Sequence, residues 1–255
     1  MRPATLAWTD AIRLGFIELS TSLAMSAEVP AALPAGVHAL MTRLRLPAGE
    51  VSAAALGRMV ESDRLEEASR ELADGGAAVV AFACTTGSLL RGVGFDRELA
   101  ERMQSASGVR ATTTATALLA ALSALGARSV AVATPYPDEL NDLEARFLEA
   151  QGFAVRALRG LGIGSDPDIA RVPYARTWEL ALAAAGDAPD ADVLFLSCTN
   201  LPTLPLLDEL ETELGRPVIS SVAVTVWHAL VLAGVRPAAT GAGSLLAGRV
   251  AASAA

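Results

Sequence analysis

Cysteine and histidine are scarce in this chain of 255 residues, two of each, and no clustered spacing of Cys, His and carboxylates points to a metal site. Basic charge is also short. Twenty Lys and Arg against 28 Asp and Glu leave a net charge of −8, which argues against a nucleic-acid or anionic-membrane surface, because both need a basic face. An anionic ligand must then be held by local donors. The first ten residues hold no apolar run ahead of a cleavage site, so no secretory signal is read there and a cytoplasmic location is expected. In that reducing compartment two free thiols suit catalysis better than a disulfide. No Gly-x-Ser-x-Gly elbow occurs, and the glycine-rich stretches at 92–94 and 160–164 match neither a P-loop nor a dinucleotide fingerprint.

Long apolar runs are missing too. The best candidates for a membrane span, 111–127 and 217–235, are interrupted by Thr112, Thr113, Thr114 and Thr116 in the first and by Pro217, Ser220, Ser221 and His228 in the second. Both fall short of the roughly 20 mostly apolar residues a span needs, and each reads as a short buried strand running into a helix. No membrane partner is expected.

Hydrophobic residues nevertheless make up 52% of the chain, enough for a large core. Short apolar runs alternate with helical patterns, the mark of parallel sheets with crossover helices. Strands are expected over 14–19, 37–44, 77–83, 109–112, 129–133, 154–158, 193–197 and 218–220, and helices over 52–73, 96–104, 138–151, 174–185 and 204–214.

The two cysteines occupy matched settings: Ala83-Cys84-Thr85-Thr86 closes one apolar run, and Ser197-Cys198-Thr199-Asn200 closes another. Each is expected at the carboxyl end of a parallel strand, where ligands bind, opening a turn into a helix whose N-terminus lowers the thiol pKa. The surroundings repeat as well. The segment 108–113 with its following helix resembles 215–221 with its own, and 13–20 resembles 129–136. The expected architecture is α/β, two pseudo-symmetric domains with parallel-sheet cores, flanking helices and the active site in the cleft between them. The domains are drawn as 1–115 plus 221–255, and 116–220. His38 in a strand pattern and His228 on an apolar helix face have no partner motif and are read as structural. The alanine-rich tail after 238 is expected to fray at its end.

Taken together, Ala83-Cys84-Thr85-Thr86, Ala131-Val132-Ala133-Thr134-Pro135-Tyr136 and Leu196-Ser197-Cys198-Thr199-Asn200-Leu201 resemble the aspartate/glutamate racemase superfamily. The likeness is to the branch of maleate cis-trans isomerases, arylmalonate decarboxylases and a related ectoine-utilisation protein, and it runs from about 13 to 234. It implies a cofactor-free enzyme acting on a small-molecule carboxylate; the number of subunits is left open, a homo-oligomer included. By that resemblance Cys84 corresponds to a nucleophile that adds to a double bond and Cys198 to the acid that protonates the adjacent carbon. In racemases the same two thiols exchange protons on opposite faces of a carbon acid. Decarboxylases of the branch keep only the counterpart of Cys198 and have glycine at the place of Cys84, so possession of both favours isomerisation or racemisation. Thr85, Thr86 and Tyr136 match donors that grip a carboxylate or enediolate, and Thr199 follows the second cysteine as Thr85 follows the first. Two departures bear on substrate. The isomerases' asparagine after the first strand is replaced by Ser20-Thr21-Ser22, which makes Ser20 and Ser22 candidate ligands. Asp166 stands near a position that is apolar in the decarboxylases, which counts against an aryl pocket and leaves an amino-bearing substrate open. A malonate-type decarboxylase using Cys198 alone, or a carboxylate-binding protein without turnover, are the alternatives.

Overall fold

The computed structural model describes residues 10–250; the expectations of no secretory signal at the start of the chain and of a fraying tail fall on residues 1–9 and 251–255, outside it. Eight strands form: β1 (Ile12–Leu19), β2 (Val37–Leu44), β3 (Val79–Phe82), β4 (Arg110–Thr113), β5 (Ser129–Thr134), β6 (Ala154–Gly160), β7 (Val193–Leu196) and β8 (Val218–Ser220). They make two four-stranded sheets with the same order, β2-β1-β3-β4 and β6-β5-β7-β8, and every pairing is parallel. The second sheet therefore repeats the first strand for strand. β3, β5 and β7 are buried at every residue, as central strands covered on both faces must be. The edge strands β2 and β6 carry exposed positions, His38 among them.

Among the described residues twelve helices flank the sheets: α1 (Ala24–Ala32), α2 (Ala53–Val60), α3 (Arg64–Asp74), α4 (Thr85–Leu89), α5 (Phe95–Ser107), α6 (Thr114–Ala124), α7 (Asp138–Ala150), α8 (Asp166–Ile169), α9 (Tyr174–Asp187), α10 (Leu207–Leu214), α11 (Ser221–Leu232) and α12 (Gly243–Leu246). The single helix expected over 52–73 is two. The Val60 carbonyl that would continue α2 instead accepts from Arg102 Nη1 at 3.0 Å, and the chain turns before α3.

The uncharged stretches at 111–127 and 217–235 are β4 with α6 and β8 with α11. Each helix is capped by a hydroxyl at its strand end, Thr113 Oγ1 accepting from Thr116 N at 3.1 Å and Ser220 Oγ from Ala223 N at 3.2 Å. Among the described residues no helix is long and apolar enough to cross a membrane. α6 and α11 pack against each other, joined by the Thr114–Thr225 hydroxyl pair at 2.8 Å. His228 Nδ1 pairs with Thr112 Oγ1 at 2.8 Å beside them, and its ring stacks on Trp227; this is a packing role. The two halves thus share one buried helical seam, and the carboxyl ends of β3, β5 and β7 bring Cys84, Tyr136 and Cys198 into one buried cluster.

Candidate active site

Cys84 lies two residues beyond β3 in extended backbone and serves as the N-cap residue of α4. The Gly87 backbone N–H and the Thr86 side chain lie beside its thiol and favour the charged form. Gly87 is required by that contact, because a Cβ there would stand 2.8 Å from Cys84 Sγ. Cys198 lies two residues beyond β7 with φ +91°, a left-handed conformation that side-chain-bearing residues seldom adopt. Asn200 N–H donates to its sulfur at 3.3 Å.

The two loops are fastened to each other. Ser221 Oγ, at the start of α11, accepts from Cys198 N at 2.9 Å and pairs with Thr85 Oγ1 at 2.8 Å. Thr199 Oγ1 donates to the Ala83 carbonyl at 3.1 Å. The hydroxyls of Thr85 and Thr199 therefore hold one cysteine loop against the other.

Two expectations about the thiols need correcting. Cys198 is not at a helix N-terminus: a turn and Pro202 come first, and the helix expected over 204–214 begins as a 3-10 turn at Leu204–Leu206 that leads into α10. Nor are the thiol pKa values lowered. Both residues are buried, 3% and 5% exposed, and burial pushes Cys84 up to about 12 and Cys198 higher still. The nearby charge of Asp166 adds to the rise at both, while the hydrogen bonds from Gly87 and Thr86 to Cys84, and from Tyr136 and Asn200 to Cys198, oppose it. At five residues, α4 is too short for its dipole to outweigh desolvation.

Tyr136, just past β5, is buried and its hydroxyl meets the Cys198 sulfur. Its loop is braced by α7: Asn141 Nδ2 donates to the Tyr136 carbonyl at 3.1 Å, and Thr134 Oγ1 joins Asn141 Oδ1 to Tyr136 N. Gly160 has no room for a side chain, since a Cβ would meet the Tyr136 carbonyl at 2.9 Å. Further back, Glu144 is fully buried, accepts from Ser197 Oγ at 3.0 Å, and is raised to about 7 by burial.

On the other side of the thiols, Asp166 opens α8. Its Oδ2 accepts from Thr21 Oγ1 and from Asn200 Nδ2, the latter at 3.0 Å. Asn200 Oδ1 in turn accepts from Leu23 N and Ala24 N at 2.7 and 3.1 Å, so one amide joins the loop after β1 to the loop after β7. Ser22 is buried with a hydroxyl that has no partner, whereas Ser20 Oγ is occupied as acceptor for Leu46 N at 3.1 Å. Over these loops a strap closes from both halves, Val51 N donating to Gly164 O at 3.0 Å beside an antiparallel bridge between Glu50 and Ser165.

Cys84, Cys198, Thr86, Tyr136 and Asp166 are thus in mutual contact or electrostatic reach, with Thr85 and Thr199 bracing the loops. Asn200, Ser221 and Gly87 were not singled out as site residues from sequence; Asn200 stood in the motif beside Cys198, and its position there was the available signal. Among the described residues no group of three or more Cys, His, Asp or Glu is placed to hold a metal ion. The arrangement puts two thiols in one buried cluster, so that one can add to a carbon and the other can supply a proton.

Known proteins similar to this chain include both arylmalonate decarboxylases and maleate isomerases. A family model described as arylmalonate decarboxylase matches residues 30–246. The chain is 39% identical over 186 residues to the arylmalonate decarboxylase of Bordetella bronchiseptica, covering 73% of this chain and 77% of that one. It is 30% identical to a maleate isomerase of Pseudomonas putida over 252 residues, 94% and 99% of the two chains. A solved cysteine-to-serine variant of the Nocardia farcinica maleate cis-trans isomerase, with a covalently bound succinylcysteine intermediate, superposes with a TM-score of 0.85 at 28% identity, covering 92% of this chain and 98% of that one.

Proposed function

From the premise that the chain belongs to the arylmalonate decarboxylase family, we propose that it is a cofactor-independent isomerase of a small unsaturated carboxylate, of the maleate cis-trans type. The observation that carries this reading is the pair of thiols enclosed together, each with its own backbone donor and its own hydroxyl neighbour. A decarboxylase needs one proton donor; addition followed by protonation needs two sulfurs. The succinylcysteine in the Nocardia neighbour is the adduct such a step would form.

In the proposed sequence the Cys84 thiol passes its proton to a carboxylate oxygen of the bound substrate as its sulfur adds to one alkene carbon, the π electron pair moves onto the adjacent carbon and its carboxylate, and the sulfur takes that proton back when it departs. Thr86 and Tyr136 are placed to donate to the oxygens where that charge gathers. Cys198 gives its proton to the carbon, leaving an adduct with a single bond that can rotate. Return of the proton to Cys198 and departure of the Cys84 sulfur release the trans product. The thiolate carries its charge directly onto substrate, so an enclosed site that disfavours the free thiolate also favours its addition. The same pair, working on opposite faces of a carbon acid, would racemise it.

A second reading, decarboxylation of a malonate with Cys198 as proton donor, is supported by the 39% identity to the Bordetella enzyme. Proton NMR of maleate, maleamate, aspartate, glutamate, a hydantoin and phenylmalonate incubated with the protein decides between them. A cis alkene converted to its trans isomer supports the isomerase; release of carbon dioxide from the malonate alone favours the lyase.

A further inference from the structure

Asp166 is a buried acid in reach of both thiols that the proposed sequence leaves idle. It is 2% exposed, and its charge is felt by both Cys84 and Cys198. Its two protein hydrogen bonds fall on Oδ2, from Thr21 and Asn200, and among the described residues Oδ1 has no partner. The donor side of Asn200 is fixed toward Asp166 because its Oδ1 is already committed to Leu23 N and Ala24 N. No ion pair of the described residues includes Asp166, so no protein cation offsets its charge. Burial raises its pKa, and the Thr21 and Asn200 bonds work against that rise.

A cleft built for a dicarboxylate would present donors at both ends. Here Thr86 offers a hydroxyl beside Cys84, and Asp166, in electrostatic reach of both thiols, offers an acceptor. A second substrate carboxylate would meet like charge, while an N–H donor would complete the bonding of Oδ1.

Resting on the reading of this cleft as the active site, we propose that Asp166 is a specificity-determining residue that accepts a hydrogen bond from a nitrogen on the substrate. The substrate is then a monocarboxylate whose far end is an amide or an ammonium group, not a second carboxylate. An unsaturated half-amide such as maleamate fits both this requirement and the proposed chemistry.

Binding of saturated analogues separates this inference from the reaction, because they need no turnover. Isothermal titration calorimetry of the full chain with succinate, succinamate and γ-aminobutyrate should show one of the two nitrogen ligands binding at least about tenfold more tightly than succinate. Which of the two it is distinguishes amide from ammonium. Asp166→Asn, which keeps the shape and removes the charge, should shrink that ratio by about tenfold or more. Succinate binding as well as both nitrogen ligands, no binding of any of the three, or a preference that survives in Asp166→Asn would each overturn the assignment. The parent protein's preference stands as a test even if the variant does not fold. If the preference appears and maleamate is not isomerised, the proposed reaction fails and this assignment holds; if maleate is isomerised faster than maleamate, the reaction holds and this assignment fails.

Discussion

Gly87 lies against Cys84 so closely that a methyl group on it would sit 2.8 Å from the sulfur and 3.3 Å from the Phe82 ring. The glycine makes the space in which the thiol sits. Gly87→Ala should therefore displace the sulfur, lowering kcat by about a hundredfold and stability by about 1–3 kcal/mol, a typical overpacking cost. Activity near the parent level would show that the thiol does not need this seat.

Replacing either sulfur tests the chemistry itself. Cys84→Ser and Cys198→Ser keep the size of the side chain but install a far weaker acid and nucleophile. Each should fold with a circular dichroism spectrum like the parent's and lose about a thousandfold or more in turnover. Retention within about tenfold by either variant would contradict the two-thiol account.

Tyr136 is placed to donate to the Cys198 sulfur or to the enediolate that Cys198 protonates. Tyr136→Phe removes only the hydroxyl, and kcat should fall by about a hundredfold with a much smaller change in KM. A rise in KM at unchanged kcat would instead mark a residue that grips the ground state alone.

The burial of Cys84 fixes the sign of two pH effects. With its pKa pushed up to about 12, its alkylation by iodoacetamide should keep rising with pH past about 8.5 instead of levelling off near the value of a free thiol. Stability follows by linkage: the folded value lies above the unfolded one, so the contribution is complete below about 8.5 and is lost as pH rises toward the folded value. Urea midpoints measured across that alkaline range should fall more steeply for the parent than for Cys84→Ser.

Much of the frame was legible in the sequence because burial writes itself into local composition. All eight strands form where apolar runs end in turn residues, and the repeated pattern at 108–113 and 215–221 announced the matching sheets. Three things were not readable. The break at Val60 depends on Arg102, 42 positions away, reaching its carbonyl. The role of Asn200 depends on Leu23, Ala24 and Asp166, the nearest of them 34 positions off. The direction of the thiol shifts went the other way because local motif geometry shows the donors but not the depth of burial, and desolvation is the larger effect here.

The central claim is that both sulfurs act on one substrate, and Cys84→Gly tests it most directly, since Cys198 and its Tyr136 and Asn200 neighbours are left in place. Parent and variant are followed by proton NMR in deuterated water with maleate, maleamate and phenylmalonate, with evolved carbon dioxide measured alongside. The account predicts cis-to-trans conversion without carbon dioxide by the parent and none by Cys84→Gly, whatever residual malonate decarboxylation Cys198 supports. Stoichiometric carbon dioxide from phenylmalonate by the parent, undiminished in Cys84→Gly and with no alkene isomerised, would contradict it and make the protein a decarboxylase.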